Sequence, residues 1–295
     1  MAAKTPRVRA RHGVQPEDPS FVGKSGVREL FPDTSDLSRM YARDLTERVR
    51  RRTAIPIRSG FIRGDITEVA QPPLAALVGS GGRGGGTALK LYLALLWIYG
   101  DPKRAIEDIP ARRWAELLDL EDASGRGKRR INAALAKLEQ LKLLKLEPHR
   151  GLPPTIRLLV ETGLGLPYDQ IPSTARVRAP KEDRDLHNYF QLPVKLWTEG
   201  HIQAMSAKAL AMLLVLSESS QGAAGREVWW STSRFEERYG LSRSTRSEGC
   251  RELFARRLVL MERRQIAIGP SVFASTHMRN VYTLIGDAVP GKPAA

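Results

Sequence analysis

Residues 239–259 read YGLSRSTRSEGCRELFARRLV and carry the clearest structural signal in the chain. Gly240 suits the left-handed conformation that ends a helix, and Ser242 suits the capping position that begins the next one. Apolar residues then recur at helical spacing, at Cys250, Leu253, Phe254 and Leu258. The pattern predicts a turn followed by a helix over about 243–257, with this apolar stripe facing a core.

Two helices and a short strand are predicted upstream of that turn. Residues 206–216 are nearly apolar all round, as in a buried helix, and Ser206 is a plausible N-cap. Val228–Trp230 is strand-like. Residues 231–239 form a short amphipathic helix, with Thr232 or Ser233 as its cap.

A hairpin is predicted downstream of the turn. Residues 258–268 form its first strand and Gly269-Pro270 lie near its turn. We expect a loop from there to Asn280 and a second strand over 281–285.

The same order of elements occurs earlier, over residues 87–160. A buried helix spans 87–99 and is stopped by the Gly-Asp-Pro sequence at 100–102. A strand-like piece at 105–109 follows, then a short helix over 110–118 that begins with proline. Residues 143–159 read as two alternating strands around a turn from Pro148 to Pro154.

Equivalent core positions align the two copies. Trp114 matches Phe235 and Leu120 matches Leu241, and both pairs are 121 residues apart. The third helix of the first copy carries the apolar stripe Ile131, Leu135 and Leu138. Leu138 matches Leu253 at an offset of 115, so the turn of the first copy, 121–130, is six residues longer.

Helix, strand, helix, turn, helix and two-stranded wing, in that order, resemble the winged helix-turn-helix family over about 170 residues. The stretch 239–259 is similar to the turn and recognition helix of bacterial winged-helix regulators. One position departs from the family: Arg246 stands where an apolar residue is usual. Either its side chain extends past the core, or the register differs by one. The resemblance implies a mainly α fold with small β wings (α+β), with two winged-helix domains in tandem plus a basic N-terminal arm.

The resemblance also implies that the third helix of each copy enters a DNA major groove, where each base pair presents a distinct hydrogen-bonding pattern. Arg243 is the candidate for a bidentate guanine contact, and hydroxyls would hold phosphates. Glu248 would repel phosphate or accept a hydrogen bond from a cytosine amino group. A solvated helix face is the alternative for all of these side chains. The candidates in the second copy are Arg243, Ser244, Thr245, Ser247 and Arg251.

The first copy offers fewer candidates and one open alternative. Asn132 could pair with adenine. Residues 125–130 could instead form a flexible basic loop that grips the phosphate backbone without reading sequence. The candidates are Lys128, Arg129, Arg130 and Asn132.

The wings supply the remaining DNA-binding candidates, because an arginine at a wing tip can enter a narrow minor groove. An ordinary exposed hairpin is the alternative. These candidates are His149 and Arg150 in the first wing, and Arg263, Arg264 and Arg279 in or beside the second, where His277 also lies.

The charge balance favours a polyanionic partner. The net charge is +15 and the sequence pI about 10.3. Arginine outnumbers lysine by 35 to 12, and arginine is the better residue for bidentate contacts with phosphate or guanine. A GC-rich genome would also raise the arginine share, although it would not explain the net charge.

Composition divides the chain into segments. Residues 161–185 contain several glycines and prolines and more acidic than basic side chains, as in a linker, and 79–86 are almost all glycine. A basic helix over 37–52 could follow phosphates or be solvated. The predicted segments are a basic N-terminal arm, partly disordered or helical (1–60), a Gly-rich linker region (61–86), the first winged-helix domain (87–160), a linker (161–185), the second winged-helix domain (186–286) and a disordered tail (287–295).

Several classes of function are not indicated. Cys250 is the single cysteine, so neither a disulfide framework nor a Cys-rich zinc site is expected, and its place on the apolar stripe predicts a core residue. The glycine tract lacks the Lys-Ser/Thr of a phosphate loop, and the five histidines show no metal-binding spacing. The N-terminus lacks the apolar region of a secretory signal. We therefore expect no enzyme activity, no cofactor and no bound metal.

The sequence thus predicts a cytoplasmic, nucleoid- or plasmid-associated protein that binds double-stranded DNA and has no membrane partner. Its layout resembles that of plasmid replication initiators, and transcription regulation is the other main option. A partition or chromosome-organising protein that coats DNA is an alternative function. A second copy of the chain, in a homodimer, could be a further partner. A protein–protein adaptor would use one copy for dimerisation, with Trp97 and Tyr99 supplying the surface.

Overall fold

A computed structural model of the chain describes residues 33–49, 53–64, 71–79, 84–99, 105–168, 170, 172–179, 181, 184, 187–221, 223–268 and 275–290. Within this part the fold is α+β, with small antiparallel sheets. The helices are α1 Asp36–Arg48, α2 Pro73–Gly79, α3 Gly85–Ile98, α4 Ala111–Leu117, α5 Arg126–Gln140, α6 Pro172–Arg178, α7 Lys195–Thr198, α8 His201–Ala204, α9 Ala207–Ser220, α10 Thr232–Tyr239 and α11 Arg243–Ala255. The strands are β1 Ala54–Arg58, β2 Leu144–Glu147, β3 Thr155–Leu158, β4 Tyr189–Pro193, β5 Glu227–Val228, β6 Val259–Ile268 and β7 Ser275–Leu284.

Helices α9, α10 and α11 begin and end close to the predicted positions because their caps are encoded locally. Ser206 caps α9 and Ser242 caps α11, and each hydroxyl accepts a hydrogen bond from a backbone amide of the first turn. Gly240 ends α10 with φ +60°. The predicted cap of α10 needs correction: Ser231 holds that position, one residue before Thr232, because its hydroxyl accepts from the Arg234 amide.

Strands β5, β6 and β7 form one sheet in the order β5-β7-β6. The β6–β7 hairpin pairs from Val259↔Leu284 out to Ile268↔Ser275, and the turn between these strands lies outside the described residues. The predicted loop before Asn280 is therefore strand from Ser275 onward. The ladder is made of backbone hydrogen bonds, so it continues through a polar stretch in which no apolar alternation signals a strand.

Helices α3, α4 and α5 and the β2–β3 hairpin repeat this order of elements. The strand-like piece predicted at 105–109 is reduced to a single bridge between Ile106 and Ile156 of β3. Trp114 of α4 and Phe235 of α10 are each the fourth residue of their helix, and both are buried. The two segments therefore share helix order and the pairing of a short leading strand with the last strand of the hairpin.

The basic stretch 125–130 is helical rather than a loop. Helix α5 begins at Arg126, and the Asp122 carboxylate accepts hydrogen bonds from the Gly125 and Arg126 amides at 3.1 and 2.9 Å. These backbone donors, that of Arg126 first, hold the pKa of Asp122 below its usual value. Asp122 thus caps the helix, so the turn between α4 and α5 is shorter than the sequence suggested.

The two segments pack against each other through their long apolar helices, α3 and α9. A Cβ on Gly86 would lie 3.2 Å from that of Ala207, which shows how closely the two helix starts approach. Trp97 stacks on Trp197 with ring centroids 5.7 Å apart. Tyr99 packs on Tyr168, so Trp97 and Tyr99 are buried and do not supply the exposed adaptor surface considered above.

The end of the predicted N-terminal arm is part of the core. Strand β1 pairs with β4 in antiparallel register, from Ala54↔Pro193 to Arg58↔Tyr189, and its Ile55 and Ile57 are fully buried. Helix α1 packs on α4 and α7. Of the predicted arm, residues 1–32 and 50–52 lie outside the described residues.

Both predicted linkers also contain packed structure. Helix α2 falls in the 61–86 segment and buries Leu74 and Leu77 against α3. Helix α6 and the buried Glu161 fall in the 161–185 segment. The described residues from Asp33 onward cluster as one compact unit.

The predicted tail is anchored over its first residues. Asp287 binds Lys195 at 2.6 Å and His201 at 3.1 Å, and Ala288 is buried. Residues 291–295 lie outside the described part. No helix that the structure describes combines the length and the apolar character needed to cross a membrane.

Lys90 makes the stability of this fold depend on pH. Its ammonium donates to the Gln203 carbonyl at 2.6 Å across the α3–α8 contact, and burial lowers its pKa to about 8. Between pH 8 and about 10 the unfolded chain then binds more protons than the folded chain at this site, so stability rises with pH.

We expect the unfolding free energy of the wild type, minus that of Lys90→Met, to increase over this range by up to about 1.4 kcal/mol per pH unit. Urea titrations of both proteins at pH 7, 8, 9 and 10 measure this difference. A difference that is flat or falls with pH would contradict the assignment.

Candidate nucleic-acid interface

Helix α11 has one face buried in the core and the opposite face open to solvent. Gly249, Cys250 and Leu253 are buried, which confirms the predicted core position of Cys250. Four of the five predicted contact residues in this helix lie on the open face: Arg243, Ser244, Ser247 and Arg251. Positions four residues apart project from one side of a helix, so Arg243, Ser247 and Arg251 form one stripe.

The open face is held in place by close packing of α11 on α9. A Cβ on Gly249 would overlap the Lys208 carbonyl oxygen and lie 2.7 Å from Met212 Cγ. Only glycine permits this approach of the two helices. The position of Arg243 and Arg251 on the surface thus depends on Gly249, although Gly249 itself is buried.

Thr245 is the exception among the predicted contacts. Its side chain is 7% exposed and its Oγ1 lies 3.0 Å from Ser242 Oγ, so it belongs to the cap of the helix and not to the open face. The prediction is corrected here: position 245 follows the core side of the helix, two residues beyond Arg243.

Arg246 extends past the core rather than marking an error in register. Its guanidinium carbon lies 5.0 Å from the centroid of the Phe235 ring, and its side chain is half-buried. A cation over an aromatic face is stabilising, and the aliphatic stem replaces part of the apolar contact that the family pattern predicts.

Glu248, also exposed, has its charge balanced within the protein. Its carboxylate binds the Lys208 ammonium at 2.6 Å. This pair reduces the repulsion that an isolated carboxylate on this face would exert on a phosphate. It also leaves Arg243 and Arg251 as the cations of the stripe.

The β6–β7 hairpin places the predicted wing residues on opposite faces. Arg263 is exposed and opposite Asn280, on the face that also carries Tyr282. Arg264 is on the other face, bound by Glu227 at 2.5 Å and by Glu262 at 3.1 Å. Its charge is therefore balanced within the sheet, unlike that of Arg263.

In the first segment, helix α5 exposes Lys128, Arg129 and Asn132 on its surface, next to Arg130. The Arg130 guanidinium donates a hydrogen bond to the Thr87 hydroxyl in the first turn of α3 at 2.8 Å. This bond holds the Arg130 side chain next to the start of α3. Ile131 and Leu135 bury the opposite side. Helix α5 thus repeats the arrangement of α11, with a core face and a basic face.

The tip of the β2–β3 hairpin, the first predicted wing, is also exposed. His149 Nε2 lies 2.9 Å from Thr155 Oγ1, and Arg150 is open to solvent. The base of this hairpin is bound by an ion pair of Arg157 with Glu147 at 2.7 Å.

Helix α5 and the C-terminal end of α11 both come near Lys90. The Lys90 ammonium interacts electrostatically with Glu252 near the end of α11, with Arg256, the residue that follows this helix, and with Arg130 of α5. The first turns of α5 and the end of α11 therefore lie near the same residue of α3. The sequence could not show this, because it depends on how two distant segments pack.

Sequence reasoning also missed a group of arginines around the start of α10. Arg226, Arg234 and Arg238 line a groove of about 780 Å³ together with Arg279 of β7 and Arg63. Arg234 and Arg238 are four residues apart on an exposed helix face, and this spacing was the signal available in the sequence.

The structure offers little for metal or thiol chemistry. In the part of the chain that it describes, no three His, Cys, Asp or Glu side chains are grouped to hold a metal ion. Burial raises the pKa of the Cys250 thiol to about 12, so this thiol stays protonated at neutral pH.

Comparisons with protein-family models, curated proteins and solved structures returned no match to this chain.

Proposed function

We propose that this chain binds double-stranded DNA through two winged-helix units, centred on the open faces of α11 and α5. The observation that carries the proposal is the stripe of Arg243, Ser247 and Arg251, opposite a face buried against α9. A single helix fits the major groove, and arginine is the side chain that best pairs with guanine there.

The arrangement of strands supports the same proposal. In the second unit the leading strand pairs with the last strand of the hairpin, and in the first unit a single bridge at Ile106 takes its place. In both units the hairpin follows directly on the basic helix. Exposed Arg263 and Arg150 on the two hairpins would then reach the backbone or the minor groove beside the helix. The excess of 15 positive charges supplies the general attraction to phosphate.

Two units on one chain would bind DNA more tightly than either alone, since binding by one raises the effective concentration of the other. The units differ in sequence, so the target need not be a perfect palindrome. We propose plasmid replication initiation or transcription regulation as the biological role. An initiator binds several repeats near its gene and alters copy number, whereas a regulator changes transcription without affecting replication.

Arg243→Ala is the direct test of the α11 face. The preferred site is first obtained from a genome-wide occupancy map in the host. We expect the variant to bind this site 5- to 150-fold more weakly, which corresponds to about 1–3 kcal/mol for a bidentate guanine contact. Fluorescence anisotropy with a labelled duplex measures the affinity.

Arg178→Ala is the matched control, because Arg178 is exposed on α6 and also removes one positive charge. Equal small losses in both variants would assign to Arg243 only a general electrostatic effect. If affinity for the preferred site is unchanged and non-specific binding falls, Arg243 is a phosphate contact. An affinity for DNA that does not depend on salt would overturn the proposal as a whole.

A further inference from the structure

The groove at the start of α10 concentrates arginine more than any other feature described above. Arg226 comes from the loop before β5, Arg234 and Arg238 from α10, and Arg279 from β7. None of these four forms an ion pair within the described ranges. Like charges gathered in one concave space repel one another, and a bound anion would relieve that repulsion.

The one acidic residue among those that line the groove, and the buried one next to its lining, are already engaged. Glu227 lines the groove but binds Arg264 at 2.5 Å. Glu218 is fully buried behind it and binds Arg63. The four remaining guanidinium groups are in ion-pair contact with no carboxylate of the described residues. Phosphate, like carboxylate, matches their planar, bidentate geometry.

An aromatic side chain lies beside these cations. Trp229 lines the groove and is 38% exposed. Its neighbour Trp230 also lines the groove but packs against Phe235 and Tyr282. The other three tryptophans, Trp97, Trp114 and Trp197, are buried. An exposed indole next to arginines is the combination that binds a base together with its phosphates.

The groove is displaced along α9 from the middle of α11. Ser219, near the end of α9, lines it, whereas Lys208, near the start of α9, binds Glu248 of α11. Eleven residues of helix place these two points about 16 Å apart along the axis. Arg243, at the start of α11, is closer in sequence, five residues after Arg238 of the groove.

We propose that this groove is a binding site for a nucleotide-class ligand, with phosphates on Arg226, Arg234, Arg238 and Arg279 and a base against the Trp229 indole. A volume of about 780 Å³ is within the range of small-ligand sites. The same chemistry is present in unpaired nucleotides of single-stranded DNA and in a free nucleoside triphosphate. The site does not depend on the duplex binding proposed above.

The test uses the full chain and two probes, a fluorescent oligo(dT) 12-mer, which cannot form a duplex with itself, and ATP. The groove variant is Arg234→Ala/Arg238→Ala, and both residues are exposed. The control is Arg43→Ala/Arg178→Ala, which removes two exposed arginines from α1 and α6. Anisotropy measures oligo(dT) binding and calorimetry measures ATP binding.

We expect the groove variant to bind at least one probe tenfold or more weakly than the control does. For oligo(dT), the slope of log affinity against log salt should fall by about 1.4, since each phosphate contact with a single strand contributes about 0.7. Trp229→Leu should weaken the same probe about tenfold by removing the base contact. The probe affected identifies the source of the ligand.

Three outcomes would overturn the proposal. Equal affinities of the groove and control variants for both probes would remove the site. Loss in the arginine variant with no effect of Trp229→Leu would exclude the nucleotide assignment and leave a phosphate site. Loss of oligo(dT) binding in Arg243→Ala/Arg251→Ala, with none in the groove variant, would place single-strand binding on α11. That result would overturn the groove site without contradicting the proposal that α11 binds a duplex.

Discussion

Gly249→Ala should destabilise the protein by about 3 kcal/mol, because the added methyl group overlaps the Lys208 carbonyl oxygen and lies 2.7 Å from Met212 Cγ. The first of these atoms is backbone and cannot rotate away. Helix α11 must therefore move off α9 or tilt, and both movements open the core beneath Cys250 and Leu253. Chemical denaturation followed by circular dichroism measures the loss.

Gly79→Ala is the control for this substitution. Gly79 ends helix α2, and a Cβ there would meet nothing within 4 Å. We expect its stability to stay within about 0.5 kcal/mol of the wild type. A Gly249→Ala protein as stable as this control would contradict the close packing of α9 and α11.

The same substitution bears on function. If α11 contacts DNA as proposed, its displacement should weaken duplex binding even at temperatures where Gly249→Ala stays folded, although Gly249 itself is buried. Binding that is unchanged in a folded Gly249→Ala protein would indicate that the position of α11 is not important for the duplex.

The second large effect concerns the buried pair of Arg58 and Glu161. Arg58 lies on β1 and Glu161 follows β3; they are 1% and 0% exposed, and the guanidinium binds the carboxylate directly. Arg58 also donates to the Gln170 carbonyl at 2.8 Å and lies 4.7 Å from the centroid of the Tyr168 ring. The pair thus joins the N-terminal strand to the segment between the two units.

Arg58→Met should destabilise the protein by about 3–5 kcal/mol, because it leaves the Glu161 charge buried without a partner. The double variant Arg58→Met/Glu161→Leu removes both charges, and we expect it to recover most of that loss. A double-mutant cycle from urea unfolding of the four proteins gives the coupling energy.

The outcome separates two views of this contact. A coupling of about 2 kcal/mol or more would show that each ion depends on the other. If Arg58→Met lowers the unfolding free energy by less than about 1 kcal/mol, Glu161 must be solvated or neutral. The ion pair with Glu161 would then contribute little to the position of β1.

Local signals predicted the two repeated segments well. Ser206, Ser242 and Gly240 act on neighbouring backbone groups, so their effect is readable without knowledge of distant contacts. Helices α9 and α11 therefore start where the sequence predicts. The exposed stripe of Arg243, Ser247 and Arg251 follows directly from the helical period and the buried positions.

Local patterns missed structure where a segment has weak signals of its own but strong tertiary contacts. Residues 61–86 and 161–185 are rich in glycine or proline, which favours a linker, yet they contain α2, α6 and the buried Glu161. Thr245 was misplaced for a related reason: a threonine near a helix start can either cap the helix or face solvent, and only packing distinguishes the two.

Caps and helical periodicity in the amino-acid sequence were sufficient to specify two segments of three helices and a hairpin, because both act over a few residues of chain. The docking of α3 on α9, the pairing of β1 with β4 and the gathering of Arg226, Arg234, Arg238 and Arg279 in one groove depend on residues far apart in sequence. Such contacts arise only when buried surfaces of matching shape meet, and a one-dimensional pattern contains no record of that match.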